Sequence, residues 1–223
     1  MAKLWVFGDS FSQSHRGIID IEDRDKLFRE PSVDSGQFLY IYNIYKNSNR
    51  VPTHFEDVLS KEFELEFGKK YNLAGGGFSN YEIWETIGQS VNDFSKDDFV
   101  IIGWSDLTRF RVLDDETNWV QIHIEKADSD LAKLVHNRYF DKKGNIEKPK
   151  IILERELQSW IKLINKALPK NTIHWSPFSG GLPPISTITD ETNMEYEDGH
   201  YSETGHKQIA QEMIKWFKEL QWI

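Results

Sequence analysis

Cysteine is absent from the 223 residues of this chain. Its absence excludes disulfide bonds, thiolate metal sites and a cysteine nucleophile. Long apolar runs are also missing. A run such as residues 99–103 is far shorter than the roughly 20 residues that span a bilayer, so we expect no transmembrane helix. The chain begins without the pattern of a signal peptide, and we therefore expect a cytoplasmic protein.

Positive charge is scarce relative to negative charge. The chain has 27 Lys and Arg against 36 Asp and Glu, a formal net charge of −9. An acidic surface repels nucleic acid and anionic lipid, so we expect neither as a partner. The apolar fraction of 39% is that of a globular protein with a buried core, and the length fits a single domain over residues 1–223.

Short apolar runs alternate with helical patterns along the chain. The runs predict strands at 4–7, 71–74, 99–102 and 172–175, and the helical patterns cover about 53–63, 80–94, 151–168 and 203–220. This alternation favours a parallel sheet with helices on both faces. Reactive groups gather at the carboxyl ends of such strands, and each run here is followed by Gly, Ser, Asp or Pro.

Two long segments interrupt the alternation, at about 12–50 and 107–150. Both are mainly polar and also contain aromatic residues. Segments of this length within a compact domain are usually functional lids or binding elements, or they contain small helices of their own. We therefore interpret them as insertions into the α/β pattern.

Two groups of residues suggest nucleophilic catalysis. Ser10 follows the first predicted strand, although a turn with a capping serine is the simpler interpretation of that motif alone. A serine hydroxyl needs a base to become a good nucleophile. Asp198 and His200 offer one, because their spacing can place the carboxylate against one imidazole nitrogen and leave the other for a serine. An exposed loop histidine is the simpler alternative.

Four segments together resemble the sequence blocks of the SGNH (GDSL) hydrolases. They are GDS at 8–10, NLAGGGFS at 72–79, GWSD at 103–106 and DGH at 198–200. Their order and spacing agree with the family along the whole chain apart from the two insertions. The resemblance implies a three-layer α/β/α flavodoxin-like sandwich with a central parallel sheet of about five strands.

The resemblance also implies a catalytic triad. Ser10 would attack, His200 would take the serine proton and return it to the leaving group, and Asp198 would orient His200. The family usually has an aspartate three residues before the histidine. This chain has Glu197 there, so Glu197 competes with Asp198 for that role.

The oxyanion hole implied by the resemblance consists of the amides of Ser10 and Gly77 and the side chain at position 105. The family has an asparagine at that third position, whereas this chain has Ser105. A hydroxyl also donates, but it is shorter. Loss of one such donor typically lowers turnover on the order of 10²–10³.

We therefore predict a serine ester hydrolase that forms an acyl-enzyme and removes short acyl groups, such as acetyl, from a carbohydrate or small ester. Asp9, Trp104 and Arg109 are the predicted substrate contacts. A core position is the alternative for Trp104, and an ion pair with Asp106 is the alternative for Arg109. The alternative function is a catalytically weak or inactive binding or structural module on the SGNH fold.

The segment 103–109 is similar to variants encoded by large bacteriophages. If a phage encodes the chain, the virion and the host cytoplasm are further expected locations. The expected assembly is a homo-oligomer or a virion of which the chain is a part. The glycine run at 75–77 lacks the Lys-Ser or Lys-Thr of a phosphate loop, so we expect no nucleotide cofactor. The histidines at 15, 54, 123, 136 and 174 are scattered along the chain, and His200 with His206 is not a convincing pair of ligands, so we predict no metal.

Overall fold

A computed structural model describes residues 1–9, 11–19, 36–68, 73–74, 78–113, 119–123, 130, 133–134, 147–177, 186–187 and 201–221. Its strands are β1 (Lys3–Gly8), β2 (Glu66–Phe67), β3 (Leu73–Ala74), β4 (Phe99–Gly103), β5 (Arg109–Leu113), β6 (Trp119–His123), β7 (Asn171–Ser176) and β8 (Ser186–Thr187). Its α-helices are α1 (His15–Ile19), α2 (Gly36–Ser48), α3 (Phe55–Glu62), α4 (Asn80–Ser90), α5 (Glu147–Ile164) and α6 (Glu203–Gln221).

The central sheet is parallel throughout its described length. Its order is β2, β1, β4, β7 and β8, and β3 also pairs with β1. Because β4 occupies one edge of β1 from Leu4 to Gly8, β2 and β3 both lie along the opposite edge. The sheet thus has five positions in the order 2-1-3-4-5, the flavodoxin-like order. The prediction of an α/β sandwich with about five parallel strands is confirmed.

Helices cover both faces of the sheet because successive strand residues point to opposite sides. One face presents Leu4, Val6, Ile101 and Ile173 to a cluster that includes Phe55, Leu59, Met213 and Phe217 from α3 and α6. The other face presents Trp5, Phe7, Val100 and Ile102 to Ile83, Ile87, Leu157 and Ile161 from α4 and α5. Each fully buried side chain of this size stabilises the fold by about 1.5–3 kcal/mol.

The predicted elements agree in type with the structure where it describes them, and residues 71–72 of the second predicted strand lie outside the described residues. The helices differ from their predicted bounds chiefly at the end of α4 and at both ends of α5, which begins at Glu147 rather than at 151. The pattern over 80–94 continues past the end of α4 at Ser90 because Val91 and Phe94 also pack on the core from a 3₁₀ turn and the residue after it. The pattern over 151–168 continues past Ile164 because Leu168 packs on the same cluster. Both extensions reflect apolar contacts made after the α-helix has ended.

The two insertions contain secondary structure of their own. The first includes α1 and α2, and the second includes the antiparallel hairpin of β5 and β6. These helices and this hairpin were not predicted individually. No helix in the described part of the chain combines the length and hydropathy needed to cross a membrane.

The carboxyl ends of β1 and β4 approach each other closely. Gly8 pairs with Gly103 across the sheet, and Gly8 has a positive φ of 155°. A Cβ added to Gly103 would overlap the Ser12 hydroxyl and would lie 2.8 Å from Trp175 Nε1. Glycine at these two positions therefore lets the turn after β1 pack directly on the end of β4.

Candidate active site

The predicted site residues divide into two groups. The described part of the chain includes Asp9, Trp104, Ser105 and Arg109, all at or after the carboxyl ends of β1 and β4. The remaining predicted residues lie outside the described residues: Ser10, Gly77, Glu197, Asp198 and His200.

The turn that follows β1 is held by Asp9. The amide of Phe11 donates to Asp9 Oδ1 at 3.1 Å, and the amide of Ser12 donates to the Asp9 carbonyl at 3.0 Å. The Asp9 side chain is 1% exposed. Its carboxylate therefore serves the backbone of the turn, which differs from the predicted role in substrate contact.

Asp9 also has a charged partner. Arg109 Nη1 lies 3.4 Å from Asp9 Oδ2, and the Ser105 side chain lies beside the same carboxyl group. Burial raises the pKa of Asp9 to about 6, although Arg109, Ser105 and the Phe11 amide each lower it. The carboxyl group can therefore exchange a proton near neutral pH. Asp106 instead accepts hydrogen bonds from Thr108, so the alternative pairing of Arg109 with Asp106 is not the one formed.

Asn80 is a site residue that the sequence did not reveal. Its Oδ1 accepts from the Ser105 amide at 2.8 Å, and its Nδ2 donates to the Ser105 carbonyl at 3.1 Å. Asn80 is the first residue of α4, which begins with a capping box between Ser79 and Glu82. The motif Ser79-x-x-Glu82 signals this helix start, but the partner of Asn80 is a distant backbone segment without a local pattern.

Asn80 consequently holds both the amide and the carbonyl of Ser105, which is 3% exposed. The Ser105 hydroxyl is close enough to Asp9 to lower the pKa of that carboxyl group, but it is buried and has no hydrogen-bond partner of good geometry among the described residues. A buried hydroxyl without a partner can donate to a substrate oxygen. The described geometry is thus compatible with the role that the resemblance implies.

Trp104 lies in the hydrophobic core rather than on a pocket wall. It is 0% exposed, and its ring stacks on that of His174 with an interplanar angle of 4°. Its Nε1 donates to His174 Nδ1 at 3.1 Å, and His174 Nε2 faces Asn165 Oδ1 at 2.8 Å. This placement argues for packing and against the predicted substrate contact, because neither the ring face nor the indole N–H is available.

Residues from the two ends of the chain meet at the carboxyl edge of the sheet. The rings of Phe11 and Tyr201 contact each other edge to face, with centroids 5.9 Å apart. Tyr201 is 2% exposed and also packs near Trp175. Phe11 follows Ser10 in the chain and Tyr201 follows His200, so the contact joins the segments that carry the predicted nucleophile and base.

A pocket opens beside Arg109 between α4, β5 and α5. Its walls include Tyr81, Arg109, Arg111 and Trp160. Arg111 lies 3.7 Å from Glu82 and 3.4 Å from Glu85. The pocket is therefore lined by aromatic and leucine side chains together with two guanidinium groups that are each paired with a carboxylate, a lining that suits a small molecule with apolar and polar parts.

Three histidines form a second cluster at the same edge of the sheet. His15, His54 and His206 are all 0% exposed, and a ring nitrogen from each lies within 4.8 Å of those of the others. Burial lowers the pKa of His15 to about 4 and that of His54 well below its ordinary value. The sequence prediction treated His15 and His54 as scattered and weighed His206 only as an unconvincing partner of His200. The structure corrects that premise, because the starts of α1, α3 and α6 converge here.

Comparisons of this chain with protein-family models, with curated proteins and with solved structures found no match. The site therefore has to be interpreted from its own residues.

Proposed function

We propose that this chain is a serine ester hydrolase that works through an acyl-enzyme at the carboxyl edge of the sheet. The observation that supports it most directly is the contact between Phe11 and Tyr201. Ser10 precedes Phe11 and His200 precedes Tyr201 in the chain, and consecutive Cα atoms are only about 3.8 Å apart, so we expect Ser10 and His200 to lie near each other. A nucleophile and its base must be neighbours in this way.

In the proposed reaction, the Ser10 hydroxyl attacks the ester carbonyl while His200 accepts its proton. The carbonyl oxygen becomes an oxyanion, to which the amides of Ser10 and Gly77 donate. Collapse of this intermediate expels the alcohol, which takes the proton from His200, and leaves the acyl group on Ser10. Water then attacks the acyl-enzyme with His200 again as base, releasing the acid, and Asp198 orients His200 throughout.

The described residues contribute support and substrate contacts. Asp9 accepts the amide of Phe11 and, through its own carbonyl, that of Ser12, which fixes the turn around the nucleophile. Arg109 borders both Asp9 and the pocket. A guanidinium at this position suits an oxygen-rich ester such as an acetylated carbohydrate, because it can donate to several oxygens at once.

A second candidate function is a binding module that keeps this fold with little or no catalysis. The presence of Ser105 at the position of the family's asparagine favours it, since a hydroxyl reaches less far than an asparagine amide and the Ser105 backbone is held by Asn80. An oxyanion hole without this third donor would be weaker by the factor typical of one lost donor, on the order of 10²–10³ in turnover.

The test uses the full chain with a fluorophosphonate probe and with p-nitrophenyl acetate. We expect labelling and ester turnover in the wild type and loss of both in Ser10→Ala, because the probe reacts only with an activated serine. Ser12→Ala is the matched control, since it removes a hydroxyl from the same turn, and it should keep its labelling. His200→Gln should lower the labelling rate strongly.

The outcomes separate the two candidates. Labelling that disappears in Ser10→Ala and persists in Ser12→Ala supports the hydrolase. A folded wild-type protein that neither reacts with the probe nor hydrolyses the ester supports the binding module. Labelling that is equal in the wild type and Ser10→Ala overturns the assignment of the nucleophile.

A further inference from the structure

We propose that His15, His54 and His206 form a binding site for one transition-metal ion of the Zn²⁺ class. The three imidazoles lie on α1, at the N-cap of α3 and in the first turns of α6. Their ring centroids are 4.3–4.8 Å apart. Among the described residues, this group consists of three histidines alone, a ligand set that matches the preference of Zn²⁺ and not that of Mg²⁺ or Ca²⁺.

The hydrogen bonds of His15 leave a ring nitrogen ready for a metal. Its Nδ1 lies 3.0 Å from the Pro52 carbonyl oxygen, which can only accept, so Nδ1 carries the proton. In a neutral imidazole the other nitrogen, Nε2, then presents a lone pair. This Nε2 is buried and has no hydrogen-bond partner. Such a pairing of one ring nitrogen with a carbonyl is the usual support of a metal-bound histidine.

His54 can also offer Nε2 to a metal, but only after a change of tautomer. Its Nε2 is likewise buried without a hydrogen-bond partner, and its Nδ1 lies 3.8 Å from the Glu56 carboxylate. The same Nδ1 is 3.5 Å from the Glu56 amide, a long contact that favours the other tautomer. A metal at Nε2 would select the tautomer with the proton on Nδ1, and Glu56 would accept that proton in a hydrogen bond.

The separation of the three ring nitrogens is compatible with a metal after a small adjustment. Zn–N bonds of about 2.0–2.1 Å in tetrahedral geometry place ligand nitrogens about 3.4 Å apart, against a present limit of 4.8 Å. Modest rotations of the side chains would close this difference. The fourth position would take water or another small ligand, as in other three-histidine sites.

The role of such an ion would be structural, because all three imidazoles are fully buried. It would join the first insertion, through α1, to α3 and α6. Tyr201 lies just before α6, and its ring is 6.1 Å from that of His206. The ion would therefore also fix the helix that follows the segment of the proposed base. This site does not depend on the hydrolase proposal, since it makes no use of Ser10 or His200.

The first experiment measures metal uptake by the untagged full chain after removal of metal with EDTA. We expect one Zn²⁺ per chain by equilibrium dialysis and elemental analysis, with an increase in the melting temperature that Mg²⁺ does not produce. X-ray absorption of the zinc-loaded protein should show three imidazole ligands. The absence of saturable uptake, or a bound ion with fewer than three imidazoles, overturns the proposal. This measurement needs no variant.

Variants then assign the ligands. His15→Gln and His206→Gln should each lower the Zn²⁺ affinity at least tenfold, and so should His54→Asn, which keeps a residue suited to the N-cap. Glu56→Gln should weaken binding by about 10–100-fold, the usual effect of removing a partner of a ligating histidine. His174→Gln is the matched control, because it removes a buried histidine outside the cluster, and it should bind as the wild type does. Unchanged affinity in folded ligand variants, checked by circular dichroism, overturns the assignment.

Discussion

A carboxyl group with almost no exposed surface, such as that of Asp9, must be protonated, paired or hydrogen-bonded. The structure provides all three possibilities. Burial disfavours the charged form and prevails, so that the pKa rises to about 6, although Arg109 and three hydrogen-bonding groups favour the charged form. The consequence is a proton-binding group in the turn next to the proposed nucleophile.

Asp9→Asn should change the pH dependence of stability. A folded pKa of about 6 against 3.8 in the unfolded chain means that the folded state binds this proton more tightly. The stability that Asp9 contributes is therefore complete below about pH 4 and is lost as the pH rises through 6. At 1.36 kcal/mol per pKa unit, the loss is about 3 kcal/mol. Urea unfolding from pH 4 to 7 should show this decline in the wild type relative to Asp9→Asn.

The control for this measurement is Asp97→Asn, which removes one negative charge from an exposed position. Wild-type and Asp9→Asn curves that run parallel between pH 4 and 7 would show that Asp9 does not take up a proton in this range. The expected loss of stability would then be wrong, and so would the raised pKa of Asp9 from which it follows.

Single residues also show where the sequence was sufficient and where it was not. Trp104 follows a predicted strand, a position shared by core and pocket residues, and only its ring stacking on His174 distinguishes the two. His15, His54 and His206 belong to the starts of three separate helices. Their spacing in the sequence does not show that these helix starts lie close together in the fold. The predicted triad residues lie outside the described part of the chain, so their roles stay predictions.

At the scale of secondary-structure elements, α4 and the segment after β4 are joined through one side chain. Asn80 accepts from and donates to the backbone of Ser105, and it is 6% exposed. Both partners are main-chain groups that have little access to water. The first residue of α4 thus supplies the hydrogen bonds that a neighbouring strand would otherwise make to this irregular backbone segment.

Asn80→Ala should lower the free energy of unfolding by about 1–3 kcal/mol, because the buried Ser105 amide and carbonyl lose their partners. Ester turnover should fall as well, since the backbone that carries Ser105 would no longer be fixed by Asn80. Chemical denaturation and the p-nitrophenyl acetate assay measure the two effects.

Gly88→Ala, on the same helix, is the matched control. A Cβ at Gly88 would meet no atom within 4 Å, so this change should raise stability by roughly 0.5–1 kcal/mol through the helix propensity of alanine. An Asn80→Ala protein as stable as the wild type would show that water replaces both hydrogen bonds.

Burial explains which strands the sequence predicted and which it did not. The cores of β1 and β4 are buried on both faces, so they read as continuous apolar runs. The two-residue strands β2 and β8 are too short for any periodic signal and exist through pairing with β1 and β7. The hairpin of β5 and β6 lies in an insertion whose mixed polar and aromatic composition gave no clear alternation.

At the scale of the whole molecule, the parallel sheet brings the two ends of the chain together. The turn after β1 and the segment before α6 meet where Phe11 contacts Tyr201, on the face covered by α3 and α6. A flavodoxin-like order places β1 inside the sheet, so a residue just after β1 is accessible to segments that follow later strands. The proposed nucleophile and base depend on this arrangement.

A double-mutant cycle with Phe11→Leu and Tyr201→Leu tests this arrangement in solution. Each change removes an aromatic ring and keeps an apolar side chain. We expect a coupling energy of about 0.5–1.5 kcal/mol in the free energy of unfolding, as for other edge-to-face pairs. The control cycle pairs Phe11→Leu with Ile161→Val, which lies in the cluster on the opposite face, and it should be additive within about 0.5 kcal/mol. If the first cycle is also additive, the segments that follow Ser10 and His200 do not meet in solution, and a serine without a neighbouring base has no means of activation.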